Sequence, residues 1–198
     1  SLAGSSGPES CPPGTYQPFA GQSFCIITEK GNFSSFGASF ATPCPPNLST
    51  PEEGSSSESD CVSSPGYYQG VDSPVPCPLG TFQPMAGQDE CIVANPGYFV
   101  PASGSASEEP CPIGTYNPIS GASSISSCII VSEGAFANEG SPNQTFASPG
   151  FFVHYGNLGV EVPCPAGTFN PQAGSHSEED CLSVTEGSYA FEGSPQPS

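Results

Sequence analysis

Basic residues are almost absent from this chain of 198 residues. Lys30 is the sole Lys or Arg, against 19 Asp and Glu residues, so the formal net charge is −18. Nucleic-acid binding requires Lys and Arg to displace counterions from phosphates, and it is therefore excluded. Adsorption to an anionic membrane surface is excluded for the same reason.

Long apolar segments are also missing. No window approaches 18 consecutive apolar residues, so we expect no membrane insertion in this segment. Residues 1–4 show no charged region followed by an apolar stretch, so a signal peptide, if one exists, has been removed or lies outside this sequence. Leu, Ile, Val and Phe make up about 18% of the residues, and Pro plus Gly about a quarter. We expect no single large core, because this composition offers too little apolar area to offset the entropy of ordering the chain.

The chain contains a repeated sequence motif, which we call the phrase. The pattern Cys-Pro-x-Gly-Thr-aromatic-Gln/Asn-Pro begins at Cys11, Cys77, Cys111 and Cys164, with a degenerate copy at Cys44. Each copy is followed, after 13 or 16 intervening residues, by a second cysteine and then by a glycine and an aromatic residue. We therefore predict about five modules in tandem. They are residues 11–43, 44–76 (degenerate), 77–110, 111–163 (with an extra glycine-aromatic half-unit) and 164–198 (with a C-terminal linker), after an N-terminal linker at 1–10.

The predicted fold is a small disulfide-rich repeat, an elongated array of short β-strands or hairpins and turns with almost no helix. Proline recurs too often for helices of useful length. Pieces such as Thr15-Tyr16-Gln17 are β-prone and bounded by Gly and Pro, which predicts strands of two to four residues. We expect the glycine of each phrase to supply a turn conformation that other residues disfavour.

The ten cysteines predict a disulfide framework, because the core is weak and the spacing is regular. Zinc is the competing interpretation, and it is disfavoured because the chain has no C-x-x-C pair and no histidine at ligand spacing from a cysteine pair. A reducing cytosol would not maintain such bridges, so we expect an extracellular or cell-surface, secreted protein.

Two periodic pairings of the cysteines satisfy the repeat. One joins each phrase cysteine to the next cysteine, and the other joins each second cysteine to the following phrase cysteine, as in Cys25–Cys44. We favour the first because its loops are uniform in size, and each loop removes roughly 3 kcal/mol of unfolded-state entropy. The predicted pairs are Cys11–Cys25, Cys44–Cys61, Cys77–Cys91, Cys111–Cys128 and Cys164–Cys181.

The phrase resembles the ephrin-receptor-like cysteine-rich repeat, a family similar in style to tumour-necrosis-factor-receptor and EGF-like modules. The resemblance covers roughly residues 11–189, and four clear copies make it specific. It implies an extracellular, elongated and non-catalytic array, of the kind that occurs in large surface proteins. The chain departs from that family at the module junctions, where C-x-x-C is common there but Cys25 is followed by Ile26-Ile27-Thr28.

Carboxylates cluster ahead of the second cysteines, as in Glu58-Ser59-Asp60 and Glu178-Glu179-Asp180. A solvated surface is our first interpretation, weak Ca²⁺ binding is the alternative, and no other metal or cofactor is expected. We predict no enzyme activity, because no G-x-S-x-G elbow and no free thiol are expected. Of the two histidines, His176 is expected to be exposed and His154 to pack against aromatic residues.

Three sequons predict N-glycosylation at Asn32, Asn47 and Asn143. Ser-Pro pairs such as Ser64-Pro65 recur, and they fit either O-glycosylated stalks or ordinary turns. Covalent N-glycans, with O-glycans as a second class, are the expected modifications.

These features predict a non-enzymatic structural segment of a secreted, glycosylated rod or fibre, such as a cell-surface hair, sheath or stalk. Modules that contact mainly their neighbours can extend end to end or join laterally, so the expected partners are further copies or other extracellular proteins. Candidates for assembly contacts are Phe33, Phe36, Phe40 and Phe151. The alternative function is an adhesion or receptor ectodomain that binds a protein or carbohydrate, with residues 138–162 as its natural site because this stretch is the least repetitive.

Overall fold

The computed structural model describes residues 9–154 and 159–198. The chain forms two compact units, one made of residues 1–78, 82–92 and 103–107 and the other of residues 79–81, 93–102 and 108–198. Of the predicted N-terminal linker, residues 1–8 lie outside the described part, as do residues 155–158 of the stretch proposed as a binding site.

Short β-hairpins make up the regular structure, as predicted. The described residues contain ten two-stranded sheets, each formed by two consecutive strands. Every described strand is two or three residues long, and the first strand of each hairpin directly follows a glycine, or Asn47 in one case. The paired strands are β1 (Thr15–Tyr16) with β2 (Ile26–Ile27), β3 (Asn32–Phe33) with β4 (Thr42–Pro43), β5 (Leu48–Ser49) with β6 (Val62–Ser63), β7 (Tyr67–Gln69) with β8 (Pro74–Pro76), β9 (Thr81–Phe82) with β10 (Ile92–Val93), β11 (Tyr98–Phe99) with β12 (Glu109–Pro110), β13 (Thr115–Tyr116) with β14 (Ile129–Ile130), β15 (Ala135–Phe136) with β16 (Thr145–Phe146), β17 (Phe151–Phe152) with β18 (Val162–Pro163), and β19 (Thr168–Phe169) with β20 (Leu182–Ser183).

Helical structure in the described residues is limited to three single 3₁₀ turns, at Glu58–Asp60, Ile125–Ser127 and Glu178–Asp180. Each turn is preceded by a serine whose side chain accepts a backbone hydrogen bond, as Ser177 does from the N–H of Glu179. Each ends directly before a second cysteine of a pair. In the described part of the chain, no helix has the length and apolar character required to cross a membrane.

The structural repeat is one hairpin, half the length of a predicted module. Each of the ten hairpins directly follows a residue with positive φ, which we call the first-turn residue, and an eleventh such residue, Gly187, precedes a segment in which Tyr189 and Ser198 exchange backbone hydrogen bonds. These residues follow one another at intervals of 14 to 20 positions. An aromatic residue lies two positions later in every hairpin except that of Asn47, which has Ser49. The first-turn residues are Gly14, Gly31, Asn47, Gly66, Gly80, Gly97, Gly114, Gly134, Gly150, Gly167 and Gly187.

The core consists of small side chains rather than one large cluster. The residue three positions before each first-turn residue, which we call the pre-turn residue, is buried in most hairpins. It is a phrase cysteine in five hairpins and a small or β-branched residue in the others, so a disulfide and a methyl group occupy equivalent places. The pre-turn residues are Cys11, Thr28, Cys44, Ser63, Cys77, Ala94, Cys111, Val131, Ala147, Cys164 and Val184.

Candidate functional site: the interlocked hairpin turns

Five disulfides close the cysteine-containing hairpins. They join the two cysteines of the same loop, with Cα–Cα distances of 5.6 to 5.9 Å, and no cysteine is free among the described residues. Every bridge therefore lies within one hairpin, and no bridge joins neighbouring hairpins. The bridges are Cys11–Cys25, Cys44–Cys61, Cys77–Cys91, Cys111–Cys128 and Cys164–Cys181.

Backbone hydrogen bonds hold each hairpin to the next. At seven first-turn residues the N–H donates to the carbonyl three residues beyond the next first-turn residue, as Gly97 N does to Asn117 O at 2.7 Å. A second glycine turn, six or seven residues after the first, donates back to the pre-turn carbonyl of the preceding hairpin, as Gly140 N does to Cys111 O at 2.9 Å. These bonds use main-chain atoms, so they tolerate changes of side chain from one hairpin to another.

At six of the first turns, packing as well as φ restricts the residue to glycine. A Cβ added at Gly97 would overlap with the carbonyl oxygen of Gly140, which lies two hairpins further along. We call the space beside a first-turn glycine the socket and the second-turn glycine carbonyl that fills it the plug. Filled sockets and their plugs are Gly14 and Gly54, Gly66 and Gly104, Gly80 and Gly121, Gly97 and Gly140, Gly134 and Gly174, and Gly150 and Gly193.

Asn47 replaces the first-turn glycine in the degenerate phrase. It has φ of 65° and is the one non-glycine residue with positive φ in the described chain. Asparagine tolerates this conformation better than most residues, so the hairpin forms without glycine. Asn47 is exposed, and its hairpin also lacks the aromatic residue that the others share.

The amide residue of each phrase folds the loop that follows it. Gln83, which is 3% exposed, donates from Nε2 to the carbonyl of Glu90 at 2.8 Å and accepts from the N–H of Met85 at 3.1 Å. Gln17 makes the same contacts with Phe24 and Phe19. The long glutamine side chain thus reaches the residue just before the second cysteine.

Asparagine occupies this position where the loop is longer. The glutamine phrases close disulfides with a sequence separation of 14, whereas the phrases with Asn117 and Asn170 close disulfides with a separation of 17. Both amides bond to the chain two residues ahead, as Asn117 does with Ile119. In these longer loops a 3₁₀ turn leads into the second cysteine, so the amide has no need to reach it.

The clustered carboxylates serve as local caps and loop contacts. Asp60 accepts the N–H groups of Ser56 and Ser57, and Asp180 accepts those of His176 and Ser177. In the described residues, no group of three His, Cys, Asp or Glu side chains could hold a metal ion.

Both histidines are exposed. The packing of His154 against aromatic residues stays a prediction. His176 Nδ1 lies 3.6 Å from Asp180 Oδ2, beside an open cleft of about 400 Å³. The rim of the cleft includes Asn170 and Ser175, which are bonded to each other at 2.6 Å.

The structure places the candidate assembly residues in two kinds of environment. Phe36 and Phe40 are 69% and 70% exposed. Phe33 and Phe151 are half-buried, and Phe151 lies over the second-turn glycine Gly193, where an added Cβ would be 3.2 Å from its ring. Phe151 therefore contributes to packing between hairpins.

The three sequon asparagines also differ in exposure. Asn47 and Asn143 are exposed, whereas Asn32 is half-buried in β3 and donates from Nδ2 to the carbonyl of Lys30 at 3.3 Å.

Taken together, the hairpins, the small-residue core and the five disulfides define the class: an array of small disulfide-rich β modules. No protein-family model matches the chain. The chain is similar to a human protein called "Signal peptide, CUB and EGF-like domain-containing protein 2", with 30% identity over 177 residues, or 85% of this chain and 14% of that protein. The zebrafish protein of the same name is 34% identical over 93 residues, or 44% of this chain and 8% of the relative. The chain thus spans a small part of the length of either relative.

Proposed function

We propose that this chain is a non-enzymatic structural segment of an extracellular, glycosylated protein, in which stapled hairpins build a rod or fibre. One observation carries the proposal: the groups that recur along the chain serve to fold each hairpin and to hold it to its neighbours. First-turn glycines, second-turn glycines, pre-turn residues and phrase amides recur along the chain, and their bonds fold a hairpin or hold it to its neighbours. A repeat of this kind is typical of a spacer or scaffold.

An extracellular location is supported by two independent features. Five disulfides are stable in an oxidising compartment, and the name of the human and zebrafish relatives records a signal peptide. We further propose that the hairpins belong with ephrin-receptor-like cysteine-rich repeats, because the phrase Cys-Pro-x-Gly-Thr-aromatic is shared. The charge of −18 would keep such an array soluble.

Glycosylation is proposed at Asn47 and Asn143 first, because both side chains are exposed. Asn32 is a weaker acceptor, since its side chain is half-buried and bonded to Lys30. The test is intact-mass measurement of the secreted chain before and after enzymatic removal of N-glycans, with Asn→Gln variants to assign each site. An unchanged mass would refute this part of the proposal.

The structural function is tested on the secreted 198-residue chain with its disulfides intact. Sedimentation and negative-stain electron microscopy should show an unbranched particle or a series of assemblies, and a screen against extracellular proteins and glycans should give no defined partner. A monomeric chain that binds one partner with saturation would favour the alternative, an adhesion or receptor ectodomain. Saturable turnover of any substrate would contradict the non-enzymatic assignment.

A further inference from the structure

One bridged hairpin, closed by Cys111–Cys128, is rich in exposed isoleucine, and we call it the isoleucine hairpin. Five of the eight isoleucines of the chain lie within residues 111–130, and each is at least 45% exposed. No Asp, Glu, Lys, Arg or His occurs in residues 110–132. This hairpin is therefore apolar and uncharged in a chain whose net charge is −18. Its isoleucines are Ile113, Ile119, Ile125, Ile129 and Ile130.

A second hairpin of the same build shows that the fold does not require isoleucine at two of these positions. The hairpin closed by Cys164–Cys181 has the same disulfide separation of 17, the same phrase asparagine and the same 3₁₀ turn. It has polar or acidic residues where the isoleucine hairpin has Ile or Ser. Exposed apolar side chains that the fold does not need indicate a contact surface. The equivalent residues are Ile119 and Gln172, Ile125 and Glu178, Ser126 and Glu179, and Ser127 and Asp180.

Equivalent positions also place Ile119 and Ile129 on one side of the isoleucine hairpin. Their counterparts, Gln172 and Leu182, both line the open cleft of about 400 Å³ described above. Two carboxylates that line this cleft are replaced by serine in the isoleucine hairpin. We call this side the isoleucine surface, and it consists of Ile119, Ser126, Ser127 and Ile129.

Two of the other isoleucines are assigned to packing within the chain. A Cβ added at Gly159 would lie 2.8 Å from Cγ2 of Ile113. Ile130 directly precedes the pre-turn residue, and at the equivalent position Cγ1 of Val93 lies 3.2 Å from a Cβ added at Gly121. Neither isoleucine is therefore counted in the isoleucine surface.

Hydrogen bonds and core packing hold the isoleucine surface in place from beneath. Asn117, which is fully buried, accepts from the N–H of Ile119 at 3.0 Å and donates to the carbonyl of the same residue at 3.0 Å. The disulfide of the hairpin packs against Phe99 and Ala122. An exposed side chain on a backbone fixed in this way loses little conformational freedom when it binds a partner.

We propose that the isoleucine surface binds the same surface of a second copy of this chain, across a two-fold axis. This contact rests on the proposed structural function, because it joins two copies laterally. Charge identifies the partner. Two chains of −18 repel wherever both present carboxylates, and the isoleucine surface presents none. A basic partner would be attracted to the acidic hairpins instead, so this surface fits an apolar and uncharged partner, which a second copy supplies.

Salt should strengthen the contact between copies. Glu109 and Glu133 flank the isoleucine hairpin in sequence, so carboxylates surround the contact in both copies. Their repulsion is screened beyond about 10 Å in 0.1 M salt and beyond about 3 Å in 1 M salt, whereas burial of isoleucine does not depend on charge. We therefore expect the dimer to form at lower protein concentration in high salt.

The test is sedimentation velocity of the full oxidised chain over a concentration series in low and high salt. The wild-type chain should show a monomer and a dimer. The double variant Ile119→Gln with Ser126→Glu should weaken dimer formation at least about tenfold, because it places an amide and a carboxylate in the contact on both copies. Both introduced residues occur at the equivalent positions Gln172 and Glu179, so the variant is expected to fold. If it does not, Ser126→Glu alone provides the comparison.

The matched control is Val71→Gln with Ser73→Glu. Both residues are exposed in the loop between β7 and β8, and the control has the same net charge as the surface variant. Weakened dimer formation in the surface variant, with wild-type dimer formation in the control, supports the proposal. Hydrogen exchange of the wild-type chain should also slow at residues 118–129 as the protein concentration rises.

Three results would overturn the contact between copies. The first is equal dimer formation by the surface variant, the control and the wild-type chain. The second is a wild-type chain that stays monomeric at every concentration and salt level, in which case electron microscopy still decides the structural function separately. The third is saturable binding of a different extracellular protein that the surface variant abolishes, because it would assign the isoleucine surface to another partner.

Discussion

At the scale of single residues, the first-turn glycines differ in what a methyl group would meet. Gly97→Ala would place Cβ against the carbonyl of Gly140, with φ of 92°, so backbone atoms would have to move. We expect this change to lower the free energy of unfolding by about 2–4 kcal/mol. Chemical denaturation in dilute, low-salt solution provides the measurement.

Gly21→Ala is the matched control for that substitution. It carries similar backbone strain, with φ of 79°, but its Cβ would meet no described atom within 4 Å. We expect a loss of about 1 kcal/mol from strain alone. Equal losses for Gly21→Ala and Gly97→Ala would show that socket packing adds nothing to stability.

Within residues 9–154 and 159–198, three buried hydroxyl groups lack a hydrogen-bond partner: those of Thr28, Ser34 and Ser63. Thr28 is a pre-turn residue, and the equivalent residues Ala94 and Val131 are apolar. We expect Thr28→Val to stabilise the chain by about 1 kcal/mol, because it removes the cost of burying an unbonded hydroxyl while keeping the shape. Thermal unfolding is the measurement. Thr42→Val, at an exposed strand residue, is the control and should change little; destabilisation by Thr28→Val would contradict the interpretation.

At the scale of the element, the type of phrase amide follows the length of the loop: Gln occurs where the disulfide separation is 14 and Asn where it is 17. Gln83→Asn shortens the side chain by one methylene, so its Nδ2 can no longer reach the carbonyl of Glu90. We expect the free energy of unfolding to fall by about 1–2 kcal/mol, since a buried amide and a carbonyl lose their partners. Hydrogen exchange should show faster opening confined to residues 84–91.

The control for this change is Gln22→Asn, the same substitution at an exposed residue of another loop. It should leave both stability and exchange unchanged. Protection of residues 84–91 that survives in Gln83→Asn would mean that the disulfide alone orders the loop.

The sequence allowed the strands, the turns and the cysteine-bounded loops to be predicted, because each depends on local patterns of Gly, Pro and Cys. The single-hairpin repeat escaped detection, since the pre-turn residue is Cys in one hairpin and Thr, Ser, Ala or Val in another. These residues share small volume and burial rather than chemical identity. The contact between Gly97 and Gly140 could not be predicted from local patterns, because it joins residues two hairpins apart.

At the scale of the whole molecule, disulfides and methyl groups share equivalent places. Ala94 and Ala147 are pre-turn residues in hairpins without a bridge, and both are fully buried. We therefore expect the double variant Cys111→Ala with Cys128→Ala to keep its fold. It should lose about 3 kcal/mol of stability, the chain-entropy value for a loop of this size.

Circular dichroism and chemical denaturation check this expectation, with a non-reducing peptide map to show that the other four bridges are unchanged. Loss of the folded state in the double variant would show that the bridge at Cys111 is indispensable. Detection of a Cys25–Cys44 link in the wild-type chain would refute the pairing itself.

The single-hairpin repeat also determines how such a chain can change its length. The hairpins that begin at Gly134 and Gly150 follow each other without a disulfide in either, so alternation of bridged and unbridged hairpins is not obligatory. Duplication or loss of one segment between equivalent glycines would keep the spacing of 14 to 20 residues between first-turn residues. A repeat of this kind can therefore change its number of residues in increments of one hairpin.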